Sequence, residues 1–65
     1  MEELIKHNEY VQSLGLSEID AWSMMLDDVR ETVKEAYKNG TEREVNKLNN
    51  DIDFIQKQLV RLSQR

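Results

Sequence analysis

The chain has 65 residues, of which 34% are charged and 38% are apolar, and its formal net charge is −4. This length allows one small domain, predicted to span residues 1–65, and the acidic balance disfavours indiscriminate binding to nucleic acid or anionic lipid. The sequence lacks cysteine, which excludes disulfides and fits a cytoplasmic location, and its longest apolar run, Met24–Leu26, is far below the roughly 18 residues of a membrane span.

The first predicted helix covers about residues 2–14. Leu4, His7, Val11 and Leu14 recur every three or four residues, which is the spacing of one helix face. His7 is the polar member of this row, and we expect its ring at the edge of the packed layer with one nitrogen in water. Gly15 is predicted to end the helix in a left-handed conformation.

The second predicted helix covers about residues 18–38. Ser17 precedes it as an N-cap, and Asp20 completes an approximate capping box. Gly40 is predicted to end this helix in the same way as Gly15. Its apolar row consists of Ile19, Trp22, Leu26, Val29, Val33 and Ala36.

The third predicted helix covers about residues 42–63 and starts with a second capping box, Thr41 and Glu44. Its apolar positions mirror those of the second helix about the Gly40–Thr41 bond, which predicts an antiparallel pair with equidistant residues side by side. The same symmetry about the first turn predicts layers shared by all three helices, such as Leu14/Ile19/Leu62 and His7/Leu26/Ile55. The row itself is Val45, Leu48, Ile52, Ile55, Leu59 and Leu62.

These patterns predict an all-α, up-down-up three-helix bundle built on a long antiparallel helical hairpin. The alternative is a hairpin dimer that forms a four-helix bundle, with the first helix across its side. The first helix reaches along only about two thirds of the hairpin, so an apolar end stays uncovered unless Tyr37 and long charged side chains fold over it. Self-association into a homodimer is predicted there, through Val33, Ala36, Tyr37, Val45 and Leu48.

The outer faces of the two long helices are predicted to carry opposite charge. Met24 faces away from the core of the second helix among acids, and Phe54 is predicted to be exposed among bases on the third. The acidic sector comprises Asp20, Asp27, Asp28, Glu31 and Glu35, with Lys38 at its end. The basic sector comprises Arg43, Lys47, Lys57, Arg61 and Arg65, together with Asn50.

The sequence contains few of the residues that catalysis requires. There is one histidine, no cysteine and no glycine-rich phosphate loop, so we predict no enzymatic activity and no cofactor. Asp27, Asp28 and Glu31 offer oxygen ligands one turn apart, but the spacing of an EF-hand loop and the Glu-x-x-His pair of di-metal bundles are missing. We therefore interpret these acids as a solvated face and predict no metal site.

The predicted function is a small, non-enzymatic helical protein-interaction module. It would act as a regulator, inhibitor or adaptor by occupying the surface of a partner protein. Two contact sets are predicted: Phe54 with Arg43, Lys47, Lys57 and Arg61, or Met24 with Asp27, Asp28 and Glu31.

Two alternative functions use the same faces. The basic sector of the third helix would contact phosphates, with Phe54 stacking on a base, in a nucleic-acid-binding accessory protein. The acidic face of the second helix would instead mimic phosphates and occupy the basic cleft of another protein.

Overall fold

The computed structural model describes residues 2–64, which form three α-helices and no strand. α1 spans Glu2–Ser13, α2 spans Glu18–Asn39 and α3 spans Glu42–Ser63. The three predicted helices are confirmed, with ends displaced by no more than one residue. Their packing is consistent with a helical bundle. Within residues 2–64, none of the helices is both long and apolar enough to cross a membrane.

The two long helices begin at the predicted caps. The Ser17 hydroxyl oxygen accepts a hydrogen bond from the Asp20 amide at 3.1 Å, and the Thr41 hydroxyl accepts one from the Glu44 amide at 3.2 Å. Each cap satisfies an amide that has no partner inside its helix and contributes about 1 kcal/mol. The starts of α2 and α3 are therefore fixed by local chemistry.

The two glycines end their helices for different reasons. Gly15 has a φ of 103°, so the predicted left-handed ending is confirmed there. Gly40 is extended, with φ −99° and ψ 179°, and the predicted left-handed ending is wrong at this position. Its amide donates to the Ala36 carbonyl at 2.8 Å, and a Cβ would lie 2.9 Å from that oxygen and 2.7 Å from a Glu44 carboxylate oxygen. Gly40 is required because the chain passes close to the last turn of α2.

α2 and α3 run antiparallel. The Arg61 guanidinium near the end of α3 lies 3.9 Å from the Glu18 carboxylate at the start of α2. Ile55 has no exposed surface and packs within the buried cluster between the helices. That cluster contains Trp22, Met25, Leu26, Ile55 and Leu62, and Leu4, Val29, Ile52, Phe54 and Leu59 pack against it.

α1 packs chiefly on α2 and does not share its layers evenly between both long helices. The Asn8 amide nitrogen donates to the Met25 sulfur at 3.5 Å, and Asn8 is 2% exposed. Asn8 and Met25 are equidistant from the turn, as the mirror symmetry predicts. The predicted pair His7 and Leu26 is nevertheless wrong, because α1 presents Asn8 and leaves His7 exposed.

The reason for this rotation is a second apolar row on α2. Ala21 lies one turn before Met25 and has no exposed surface. Its small side chain allows α1 to pack closely on α2, beside the row that packs on α3. The predicted layer of Leu14, Ile19 and Leu62 is also wrong: Leu62 is buried, whereas Leu14 and Ile19 are exposed.

Replacing Asn8 with leucine is expected to raise the free energy of unfolding by about 1 kcal/mol. Sulfur is a weak acceptor, so the buried amide nitrogen is poorly satisfied, and the Gln12 amide that donates to Asn8 is only half-buried and can turn to water. Thermal unfolding should shift upward by about 4–8 °C. The matched control is Asn50→Leu on an exposed position of α3. A fall in melting temperature for Asn8→Leu alone would show that the amide contributes net stability.

Candidate functional site

The outer face of α2 is acidic with one apolar residue in its middle. Met24 is 51% exposed, and carboxylates three or four residues away lie on the same face. Within residues 2–64, Glu31 is the one acid of this face that forms an ion pair, with Lys34 at 3.7 Å. The five acids, Asp20, Asp27, Asp28, Glu31 and Glu35, are all exposed. The prediction of an exposed methionine among solvated acids is confirmed.

Phe54 is not the exposed anchor that the sequence predicts. It is half-buried and packs against the core, and its ring centroid lies 5.9 Å from that of Trp22 with the planes at 69°. Such an edge-to-face pair adds about 0.5–1.5 kcal/mol to the stabilisation from burial. The role of Phe54 is therefore to close the core.

The basic sector of α3 is largely paired with acids of the same chain. Lys57 lies 3.1 Å from the Asp53 carboxylate and Lys47 lies 3.7 Å from that of Asp51. Arg61 lies 3.9 Å from Glu18. Exposed pairs of this kind contribute little to stability, but they reduce the positive potential of the surface. Arg43 is exposed, and Arg65 lies outside the described residues.

The predicted self-association set does not form one surface. Val33 and Ala36 are each 8% exposed, so they are buried within the chain and offer little surface to a partner, and self-association stays a prediction. The hairpin alone covers them, without help from α1. Tyr37 is 68% exposed, while Val45 and Leu48 are half-buried.

Two clefts open on either side of the α2–α3 turn. One, of about 250 Å³, is lined by Thr32, Glu35, Ala36, Asn39, Gly40, Glu44 and Leu48. The other, of about 230 Å³, is lined by Ala36, Tyr37, Gly40, Thr41, Glu42 and Val45. Tyr37 and Val45 therefore lie in one cleft and Leu48 in the other, which separates residues that the sequence placed in one contact set.

His7 lies on the surface of α1. Its ring centroid is 6.3 Å from that of Tyr10, and both side chains are exposed. Among residues 2–64, no three histidine or acidic side chains are grouped closely enough to hold a metal ion. The absence of enzymatic activity stays a prediction.

The sequence predicts no role for one polar group of the core, the indole nitrogen of Trp22. The Trp22 indole nitrogen is buried and has no hydrogen-bond partner among residues 2–64. An unpaired buried donor costs about 1–3 kcal/mol, so Trp22 stabilises the core through its area and its contact with Phe54.

One surface was included in the sequence prediction only in part, through Tyr37 and Val45. On the side of the hairpin away from α1, Ile19 and Tyr37 are exposed and Val45, Ile52 and Leu59 are half-buried. The sequence feature that indicates this surface is the second apolar row of α2, Ala21 and Met25. α1 packs on that row, so the opposite side of the hairpin stays uncovered.

No protein-family model, no curated protein and no solved structure matches this chain.

Proposed function

We propose that this chain is a small, non-enzymatic protein-interaction module, which acts as a regulator, inhibitor or adaptor by placing the outer face of α2 against a basic surface of a partner protein. The observation that carries this proposal is the exposed Met24 among carboxylates, of which Glu31 alone has an ion-pair partner within residues 2–64. The basic sector of α3, by contrast, already has acidic partners in the chain.

Each component of this face has a separate role in binding. The unbranched thioether of Met24 adapts to an irregular apolar hollow and supplies buried area at the centre of the contact. The surrounding carboxylates steer a basic partner and orient it through hydrogen bonds to arginine or lysine. Because the face lies on a 22-residue helix anchored by a buried core, little order has to be gained on binding.

The proposed framework is the up-down-up three-helix bundle. In this arrangement α1 and α3 hold α2 along its inner surface, and the outer face stays accessible. A cytoplasmic site of action is part of the proposal, and the absence of cysteine supports it.

Affinity capture from the source cell, followed by titration of each captured protein, tests the proposal. Met24→Lys and the double variant Asp27→Lys/Asp28→Lys are expected to weaken binding at least about tenfold, which corresponds to roughly 1.4 kcal/mol. The matched control is Arg43→Glu, an exposed charge reversal on α3. Loss of the partner with Arg43→Glu and retention with both α2 variants would refute the assignment to α2.

The second candidate is an acidic mimic of nucleic acid, and the same unpaired carboxylates favour it. A captured partner would then be a nucleic-acid-binding protein, and duplex DNA or RNA would displace this chain from it. Displacement that weakens as salt is added supports mimicry, because phosphate contacts release counterions. A partner with no affinity for nucleic acid supports the first proposal.

Direct nucleic-acid binding through α3 is the third hypothesis and has the least support. Lys47, Lys57 and Arg61 are paired with acids, and Phe54 packs on Trp22. Retardation of DNA or RNA at low salt, abolished by Arg61→Glu, would be needed to restore it.

A further inference from the structure

The hairpin has a long side that α1 does not cover. α1 meets α2 at Met25, and Thr32 and Asn39 follow at seven-residue intervals on the same side of α2. Thr32 and Asn39 line the larger cleft beside the turn, so that cleft opens on the α1 side. Tyr37 and Val45 line the other cleft, which therefore marks the opposite side.

Apolar residues continue along the whole of this opposite side, which we call the open side. Ile19 lies 18 residues, or five helical turns, before Tyr37, so the two residues share one line along α2. On α3, Val45, Ile52 and Leu59 repeat every seven residues and are all half-buried. These residues belong to the α3 row that packs on α2, but their own chain covers them only in part, whereas Ile55 and Leu62 of the same row are buried.

The polar residues beside the α3 row are neutral. Asn49, Gln56 and Ser63 follow Val45, Ile52 and Leu59 at intervals of four residues, and all three are exposed. On α2, Ser23 and Arg30 precede Tyr37 at seven-residue intervals, and Arg30 is the one charged residue among the positions named on this side. Depletion of charge is characteristic of the centre of an interface, and it contrasts with the acidic outer face of the same helix.

We propose that a second copy of this chain covers the open side, so that two hairpins form a four-helix core with the α1 helices outside. A strongly acidic or basic partner would find few opposite charges here, whereas an identical, nearly neutral surface is complementary to it. A two-fold axis brings the same rows together from both copies, which is the commonest symmetry of soluble dimers.

The dimensions of the open side suit a stable dimer. Two 22-residue helices give a surface about 33 Å long and about 20 Å wide, or roughly 650 Å² from each copy. The total of about 1,300 Å² lies within the range of specific interfaces, about 1,200–2,000 Å². The half-buried row of α3 would become fully buried, which adds apolar burial to a chain too short to form a large core alone.

Sedimentation equilibrium of the full chain from about 1 to 500 µM tests the proposal, because dimerisation depends on concentration. Wild type is expected to form a dimer. Gln56→Arg is expected to raise the dissociation constant about tenfold or more, because each copy would then bury an unpaired charge at the interface. Gln56 is exposed, so the substitution should leave the protomer folded, and far-UV circular dichroism verifies this. Tyr37→Lys is the second variant, chosen at the other end of the open side.

The controls are Asn50→Arg and Met24→Lys, which change exposed residues outside the open side. Neither should alter the dissociation constant by more than about twofold. A wild-type monomer at about 500 µM overturns the proposal, as does a dimer that Gln56→Arg and Tyr37→Lys leave intact. Because Met24→Lys tests the proposed function and Gln56→Arg tests dimerisation, failure of one proposal is distinguishable from failure of the other.

Discussion

Replacement of Ile55 by alanine is expected to lower the free energy of unfolding by about 3–4 kcal/mol. Ile55 has no exposed surface and is the residue of α3 that lies deepest in the buried cluster. Truncation removes apolar burial and leaves a cavity that Trp22 and Leu26 cannot fill without leaving their own contacts. A 65-residue chain has a total stability of roughly 3–10 kcal/mol, so this single change removes a large part of it.

Urea denaturation followed by far-UV circular dichroism measures this effect, with Val60→Ala as the matched control. Val60 lies in the same helix but is 54% exposed, so its truncation should change stability by about 0.5 kcal/mol or less. Each variant should be measured at two protein concentrations, since dimerisation would add a concentration-dependent contribution. An Ile55→Ala effect as small as that of Val60→Ala would contradict the placement of Ile55 in the core.

Helix positions and the pairing of α2 with α3 were predictable because their determinants are local. Ser17 and Thr41 fix the starts through side-chain hydrogen bonds, and the short turn at Gly40 fixes the register of the two long helices. The contact of Glu18 with Arg61 is a consequence of that register.

The orientation of α1 was not predictable from its period alone. α2 carries two adjacent apolar rows, one through Trp22 and Leu26 and one through Ala21 and Met25. Periodicity does not indicate which row packs on α1 and which packs on α3. The small side chain of Ala21 allows α1 to approach α2 closely, so α1 packs on the row of Ala21 and Met25. Asn8 thus occupies the buried position assigned to His7.

The candidate site was predictable in part for a related reason. The helical period places Met24 on the face of α2 opposite its core row. Met24 is exposed because no other helix packs on that face. Phe54 lies at the edge of the α2–α3 contact, where the outcome depends on the reach of Trp22. The ion pairs of Lys47, Lys57 and Arg61 depend on rotamers of long, exposed side chains, which sequence spacing restricts but does not determine.

Replacement of Ala21 by glutamate is expected to release α1 from α2. The position has no exposed surface, and a buried, unpaired charge costs about 3–5 kcal/mol. Separation of α1 relieves that cost, and a free helix of 12 residues is marginally stable in water. The helical signal should therefore fall by roughly a fifth, the share of α1 among the described helices.

Hydrogen exchange resolves this result by residue. Amides of α1 should lose protection in Ala21→Glu while those of α3 keep most of theirs, and the control Met24→Glu, at an exposed position three residues on, should resemble wild type. Unchanged protection of the α1 amides would show that α1 does not pack on α2 at Ala21. Since α1 and the open side lie on opposite sides of the hairpin, Ala21→Glu should also raise the dissociation constant of the dimer less than Gln56→Arg does. Comparison of the two dissociation constants therefore distinguishes the contact with α1 from the contact with a second copy.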